Sequence, residues 1–259
     1  MVEDFLIFLF VGFLAQLVDG ALGMAYGVTA TTVLLSFGVP PAHASAATHA
    51  AEVFTTGASG GSHVAHRNVD WRLFWRLAPA GMAGGALGVF VLTSFDGKAL
   101  RPFIFTYLGL MGVYILWRMW RPLVEAASPP RALAPLGLAG GFLDATGGGG
   151  WGPIVTTTLL GAGQKPRFTI GTVNAVEFLV AVTISASFVI ALLTGHWDDA
   201  GDLLNHAPAV VGLVAGGVLA APLAGFIVKI VPPRALGLTV GLLIISLSLW
   251  QLAVWVRQP

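Results

Sequence analysis

The stretch GGFLDATGGGGWGPIVTTTLLGAG, residues 140–163, places an acid, Asp144, beside four consecutive glycines inside an apolar surround. Glycine weakens helices and an ionised carboxylate is expensive in lipid. A chain that crosses a bilayer here must therefore be broken for a reason. Composition says that it does cross one. Of 259 residues, 56% are hydrophobic and 10% charged, and apolar runs at 73–91, 103–117, 170–193 and 236–256 punctuate the chain. A soluble domain of this length cannot hide that much apolar surface, and runs of this length match bilayer spans. The sequence reads as an all-α polytopic membrane protein.

A net charge of +1 gives no case for a nucleic-acid partner. Zero cysteines exclude disulfides, thiolate metal sites and cysteine nucleophiles. Glu3 and Asp4 stand where a secretory signal carries basic residues, so this segment is expected to stay in the mature protein. No stretch is long and polar enough for a soluble domain, which puts function in the membrane part.

Shifting the chain by 125 residues carries 12–52 onto 137–177 without a gap and superposes the glycine-rich stretch on an earlier copy. Asp19/Asp144, Gly23/Gly148, Gly27/Gly152, Thr31/Thr156, Thr32/Thr157, Pro41/Pro166 and Glu52/Glu177 are identical, while Tyr26 meets Trp151 and His49 meets Asn174. Further on, a shift of 132 aligns Gly84-Gly85 with Gly216-Gly217 and Gly109 with Gly241. The chain is two copies of one unit, 1–124 and 132–259, with 125–131 as a cytoplasmic linker. Internal repeats of this kind are common in secondary transporters, which bind substrate where the repeats meet.

Each unit reads as five apolar pieces, in the first copy 5–18, 27–38, 41–62, 73–94 and 100–120. The first two are too short to cross alone, since a span needs about 20 residues. They form one broken span or a re-entrant helical hairpin, and the basic residues choose between the two. With a broken span the halves lie parallel and the thirteen Lys and Arg divide seven against six. With a hairpin the halves are inverted, and one face collects Arg67, Arg72, Arg76, Arg118, Arg121, Arg131, Lys165, Arg167, Lys229 and Arg234. The other keeps Lys98, Arg101 and Arg257, with the acidic loop of Asp198, Asp199 and Asp202. Ten against three fits the positive-inside rule. The expectation is two inverted repeats, each a re-entrant hairpin plus three transmembrane helices, with both termini outside. Trp71, Trp75, Trp117, Trp120, Trp197 and Trp255 fall near span ends, as an interfacial belt requires. Trp250 fits less well, and Trp151 lies at a hairpin tip that the belt does not explain.

In this arrangement the tips, 19–27 and 144–152, meet near the midplane. Non-helical backbone survives there only against protein or a watery cavity. A helix starting after each tip points its N-terminus inward, and such a terminus binds anions. Tyr26, Gly27, Thr31, Thr32, Gly148, Gly149, Gly150, Trp151, Gly152, Thr156 and Thr157 are the candidate substrate-binding residues of the two tips. The alternative is that the glycines only permit tight packing. Asp19 and Asp144 are expected to tie loop N–H groups together, the other reading being titration. The glycine run lacks the preceding strand and the lysine of a nucleotide-binding loop.

Ser45, His49, Glu52 and Thr56 share one helix face, and the second copy keeps Asn174 and Glu177 at the matching places. His49 and Asn174 join the substrate-binding candidates. Glu52 and Glu177 are proton-coupling candidates, because protonation would remove repulsion against an incoming anion; a paired glutamate locking a helix to a hairpin is the equal alternative. Gly81-xxx-Gly85, Gly84-xxx-Gly88 and Gly212-xxx-Gly216 allow close helix contact within the chain or in a homodimer. His63, His66, His196 and His206 have no metal-ligand spacing, and no metal or cofactor is called for.

GFLAQLVDGALGMAYGVTATTVLL (12–35), PPAHASAATHAAEVFTTGASG (40–60) and NVDW (68–71) together resemble the sulfite exporter TauE/SafE family, as do GGFLDATGGGGWGPIVTTTLL and IGTVNAVEF (170–178) in the second half. The resemblance implies a multi-pass transporter of the prokaryotic cell (inner or plasma) membrane. Its substrates would be small sulfur-containing anions such as sulfite, sulfoacetate or related organosulfonates, usually exported. The first copy has Ala-Leu-Gly-Met-Ala-Tyr-Gly where the second has its glycine run, so the second tip is expected to make the closer backbone contact. An anion exporter working by alternating access, not an enzyme, is the favoured reading. A cation carrier or cation-coupled carrier is the nearest rival, because Asp and Glu suit cations. An intramembrane enzyme using His49 and Glu52 lacks any H-E-x-x-H or G-x-S-x-G motif, and a non-transporting assembly factor leaves the duplicated tips without a purpose.

Overall fold

A computed structural model describes residues 2–120, 132–197, 207–230 and 233–257. The 125–131 linker, Arg121, Arg131, Asp198, Asp199, Asp202 and His206 lie outside the described residues. Among those described, the chain is helical throughout: α1 (Val2–Leu22), α2 (Tyr26–Ser36), α3 (Pro41–Ala65), α4 (Trp71–Ser94), α5 (Gly97–Met119), α6 (Leu133–Gly147), a π-helical turn (Gly152–Thr156), α7 (Thr157–Gly161), α8 (Pro166–Leu193), α9 (Ala207–Ile230) and α10 (Pro233–Arg257). The boundaries follow local chemistry. Proline opens α3 and α8, where its missing N–H costs nothing. Asp70 caps α4, its Oδ1 accepting the N–H groups of Arg72 and Leu73 at 2.9 and 3.2 Å.

Among the described residues, four helices are long and apolar enough to cross a membrane: α4, α5, α8 and the 237–257 part of α10. Shorter apolar segments occupy Phe5–Gly20, Tyr26–Ser36 and Ala207–Ala221. At 25 residues α3 is as long as the spans, but its run of His, Ser, Thr and Glu keeps it out of that set. The helix α1 has 21 residues, longer than the expected piece, whereas α6 has 15. Large apolar side chains such as Phe10, Phe90, Phe103, Leu193, Leu219 and Leu249 face outward, as lipid contact requires. Trp71, Trp75, Trp117, Trp120, Trp250 and Trp255 are exposed. Trp197 instead is buried, its ring centroid 5.0 Å from that of His43 and 5.3 Å from that of Phe188.

The most extensive helix contacts are α1 with α9, α4 with α6, α5 with α10 and α3 with α8. The small-residue motifs are used here, inside the chain. Gly212 and Gly216 of α9 press on Phe5, Leu9 and Phe13 of α1, and Gly81, Gly84 and Gly88 of α4 receive α6 backbone and Trp151. Each of these two contacts is parallel. The contacts between matching helices are antiparallel: Gly60 and Gly57 of α3 meet Ala175 and Phe178 of α8, and Gly109 and Met119 of α5 meet Ser248 and Gly237 of α10. The Asn68–Trp71 corner sits on the start of α8. There Arg167 Nε donates to Asn68 Oδ1 (2.6 Å), and the Asp70 N–H donates to Thr172 Oγ1 (2.8 Å).

Candidate functional site

The two glycine-rich breaks are the site's foundation. After α1, Gly23 (φ 65°) and Ala25 (φ 97°) turn the chain into α2; after α6, Gly148 (φ 66°) starts the matching turn. The left-handed conformation suits glycine, whereas Ala25 adopts it at a cost. The turned segments pack backbone against backbone. A methyl group on Gly149 would overlap the peptide between Gly27 and Val28, and one on Gly152 would sit 2.8 Å from Met24 Cα. Threonines one helical turn or two beyond each break sew the tips together. Thr31 Oγ1 donates to the carbonyl of Gly148 (2.5 Å), and Thr156 Oγ1 donates to the carbonyl of Gly23 (2.9 Å). The two bonds are equivalents under the repeat, donor for donor and acceptor for acceptor.

Asp144 organises the second tip. Its Oδ1 accepts the N–H groups of Gly150 (2.7 Å) and Trp151 (2.9 Å), and its backbone carbonyl accepts that of Gly149 (3.1 Å). With Pro153 lacking an N–H, the start of this helical segment is occupied by the chain's own carboxylate. In the first copy the backbone carbonyl of Asp19 takes the N–H of Gly23 at 2.6 Å. Trp151 is fully buried, its Nε1–H donating to Val173 O (3.2 Å) and its ring filling the space left by Gly81 and Gly140. The tip tryptophan is a wedge between the second tip, α4 and α8.

The polar face of α3 meets this second tip. Ser45 Oγ donates to Ala145 O (2.6 Å), His49 Nδ1 lies 2.8 Å from Ser45 O, and His49 Nε2 lies 3.3 Å from Asp144 Oδ2 and 3.7 Å from Glu52 Oε2. All three titratable side chains are buried, and their ligand atoms lie within 4.8 Å of one another, close enough to share one cation. The matching residues on α8 differ. Asn174 Nδ2 donates to Ile170 O (3.2 Å), and its Oδ1 accepts from Ser59 (3.0 Å). Glu52 Oε2 and Glu177 Oε2 have no hydrogen-bond partner. Thr32 and Thr157 turn back to the carbonyls of Val28 and Pro153 on their own segments. Ser45, His49 and Glu52 gather at the second tip, whereas Asn174 turns to Ser59 and Ile170, and Thr32 and Thr157 do not bridge the tips.

Residues not singled out from the sequence complete it. Tyr107 Oη donates to Gly149 O (3.0 Å), Tyr114 Oη shares a bond with Thr157 (2.6 Å), and Gln251 Nε2 donates to Thr32 O (3.0 Å). With Tyr26, which donates to Leu213 O (3.1 Å), all three tyrosines of the chain bind the tips or their supports. Isolated hydroxyls inside apolar spans were the available signal. So was NVDW, whose asparagine and aspartate fasten α8.

Over residues 8–255 the sequence matches the family model described as Sulfite exporter TauE/SafE. The chain belongs to the sulfite exporter TauE/SafE family. The Probable membrane transporter protein YtnM of Bacillus subtilis (strain 168) is 43% identical over 253 residues, covering 95% of this chain and 82% of that protein. No solved structure matches the chain. Membership of TauE/SafE makes this a membrane transporter.

Proposed function

We propose that this protein is a secondary transporter of small sulfur-containing anions, sulfite or organosulfonates, which exports them across a prokaryotic cell membrane by alternating access. The reciprocal Thr31–Gly148 and Thr156–Gly23 bonds carry the reading. Two equivalent contacts across one plane can be opened from either side in turn, and doing so exposes threonine hydroxyls and tip backbone to a ligand. Two units, 1–124 and 132–259, related by inversion, fit the same scheme. In support, matching helices pack antiparallel, as halves turned over in the membrane would. In addition, Arg167 reaches Asn68 and the carbonyl of His66. Parallel halves would put those two corners on opposite faces. Six spans, two re-entrant hairpins and outward termini complete the proposal.

The test is release of labelled sulfite or sulfoacetate from proteoliposomes, with wild type beside Thr31→Val and Thr156→Val. Saturable release that falls in both variants is expected; folded wild-type protein no faster than empty liposomes would sink the anion reading. A reporter fused to the C-terminus tests the orientation, and a cytoplasmic C-terminus would overturn it. A cation-coupled variant is favoured by one observation, the acceptor atoms gathered at His49, Glu52 and Asp144.

A further inference from the structure

We propose that the corner after α3, bolted to the start of α8 by Arg167 and Thr172, is one gate of the transporter, closed in this structure. The corner after α8, where Trp197 lies against His43, is its counterpart on the opposite face and has no such bolt. The gating rests on the transport reading above; the likeness of the two corners does not.

The corners are one structure made twice, 128 residues apart. Each helix ends on a residue of positive φ, Arg67 (56°) in one and Gly195 (70°) in the other. The backbone bonds repeat with it. The His66 N–H donates to Ser62 O (3.0 Å) as that of Thr194 does to Ile190 O (2.9 Å). The Asn68 N–H donates to His63 O (2.9 Å) as that of His196 does to Ala191 O (2.9 Å).

What each corner meets is different. At the first, Arg167 donates to Asn68 Oδ1 (2.6 Å) and to His66 O (3.2 Å), and Thr172 Oγ1 accepts the Asp70 N–H (2.8 Å). Under the 125-residue shift Arg167, Gly171 and Thr172 become Ala42, Ala46 and Ala47, whose methyl groups bond nothing. His196, in the place of Asn68, turns to α4 instead. It stacks on Phe90 with ring centroids 4.6 Å apart and shares a bond with Ser94 Oγ (3.0 Å).

Space follows the same division. At the bolted end a methyl on Gly171 would overlap the carbonyl of Asn68, and one on Gly60 would sit 3.1 Å from Ala175 Cα. At the other end of these two helices, Ala46 and Ala47 of α3, Phe188 and Val189 of α8 and Val210 of α9 line a cavity of about 290 Å³. A second, of about 250 Å³, is lined by Ala42, His43 and Asp96. Trp197 borders both. Side chains around such spaces lack the contacts that a packed interface makes, so this end can close by gaining them.

Each corner leads into the helix that grips the hairpin of the other half. After the first comes α4, capped by Asp70 and packed along α6, which carries the second tip. After the second comes α9, packed along α1, which carries the first. Releasing the bolt frees α4 to move with α6, and closing the cavities draws α9 along with α1.

The chain has no cysteine, so an introduced pair reports alone. Ala46→Cys with Val189→Cys places thiols on the α3 and α8 walls of the larger cavity. The rate of disulfide formation is followed in nanodiscs under copper phenanthroline. Adding Arg167→Ala should speed it at least threefold, Thr172→Val should act in the same direction, and Arg76→Ala should change nothing. A rate that neither bolt variant raises, or no disulfide in any background, overturns the gate. Flux of labelled sulfoacetate through the oxidised pair is the second arm, because sulfite itself cleaves disulfides. Oxidation should cut flux at least tenfold and a reductant should restore it; unchanged flux in the cross-linked protein also overturns the gate. No sulfoacetate flux in wild type counts against the transport reading instead, and the disulfide rates then decide the gate by themselves.

Discussion

Replacing Gly149 by alanine pushes a methyl group into the backbone of the opposing tip. Its carbon would overlap the nitrogen of Val28 and lie 2.7 Å from Val28 Cα, where ordinary contact begins near 3.4 Å. Neither side can yield by rotating a side chain, because the obstacle is main chain. The tips must part by at least 0.7 Å, the difference between those two distances. That takes the Thr156–Gly23 bond from 2.9 Å to about 3.6 Å, out of hydrogen-bond range. The overlap costs about 1–3 kcal/mol and the bond, with its buried carbonyl orphaned, about 1–3 more, so a loss of roughly 2–6 kcal/mol is expected. Reversible unfolding in mixed micelles measures it, with Gly61→Ala as control. Gly61 is exposed near the C-terminal end of α3 with nothing within 4 Å of an added methyl, and its replacement should stay within about 1 kcal/mol of wild type. If Gly149→Ala unfolds with wild type, the tips are not packed as described and the reasoning fails.

Three further outcomes follow from the same contacts. Trp151→Ala should lose about 3–5 kcal/mol by emptying the wedge between α4 and α8, while Trp151→Phe keeps most of the ring and gives up chiefly the bond to Val173; unfolding midpoints rank the two. Asp144→Ala, which orphans the N–H groups of Gly150 and Trp151, should cost about 3 kcal/mol or more, and faster hydrogen exchange at 149–151 would report it locally. Ala25→Gly should stabilise by about 1 kcal/mol, since it relieves a left-handed alanine at the position that the second copy fills with Gly150; equal or lower stability would show that Ala25 is not strained.

Much of the architecture could be read from residues in order. Apolar runs announce helices because lipid tolerates little else, and the expected edges at 41, 73 and 94 lie within two residues of those of α3 and α4. The repeat was visible because its identities, Asp19/Asp144 through Glu52/Glu177, sit where broken backbone needs particular side chains. What α1 would do was less legible: the expected piece is 5–18, yet the helix runs over 21 residues, Val2–Leu22, and α9 glycines receive its first half.

The tertiary structure alone decided how the polar residues pair. Nothing in their spacing says that Thr31 bonds the carbonyl of Gly148, 117 residues away, or that His49 meets Asp144 at a separation of 95. The small-residue motifs were equally consistent with a contact inside the chain or between two chains, until α4 and α9 were seen to spend them on α6 and α1. Nor did the tip position of Trp151 show that α4 would leave a glycine-sized slot for it. Sequence governs what each segment can satisfy by itself, namely its backbone bonds, its ends and its preference for lipid. A buried polar group has to find its partner in another segment, and only the packing of the helices against one another determines which one arrives within bonding distance.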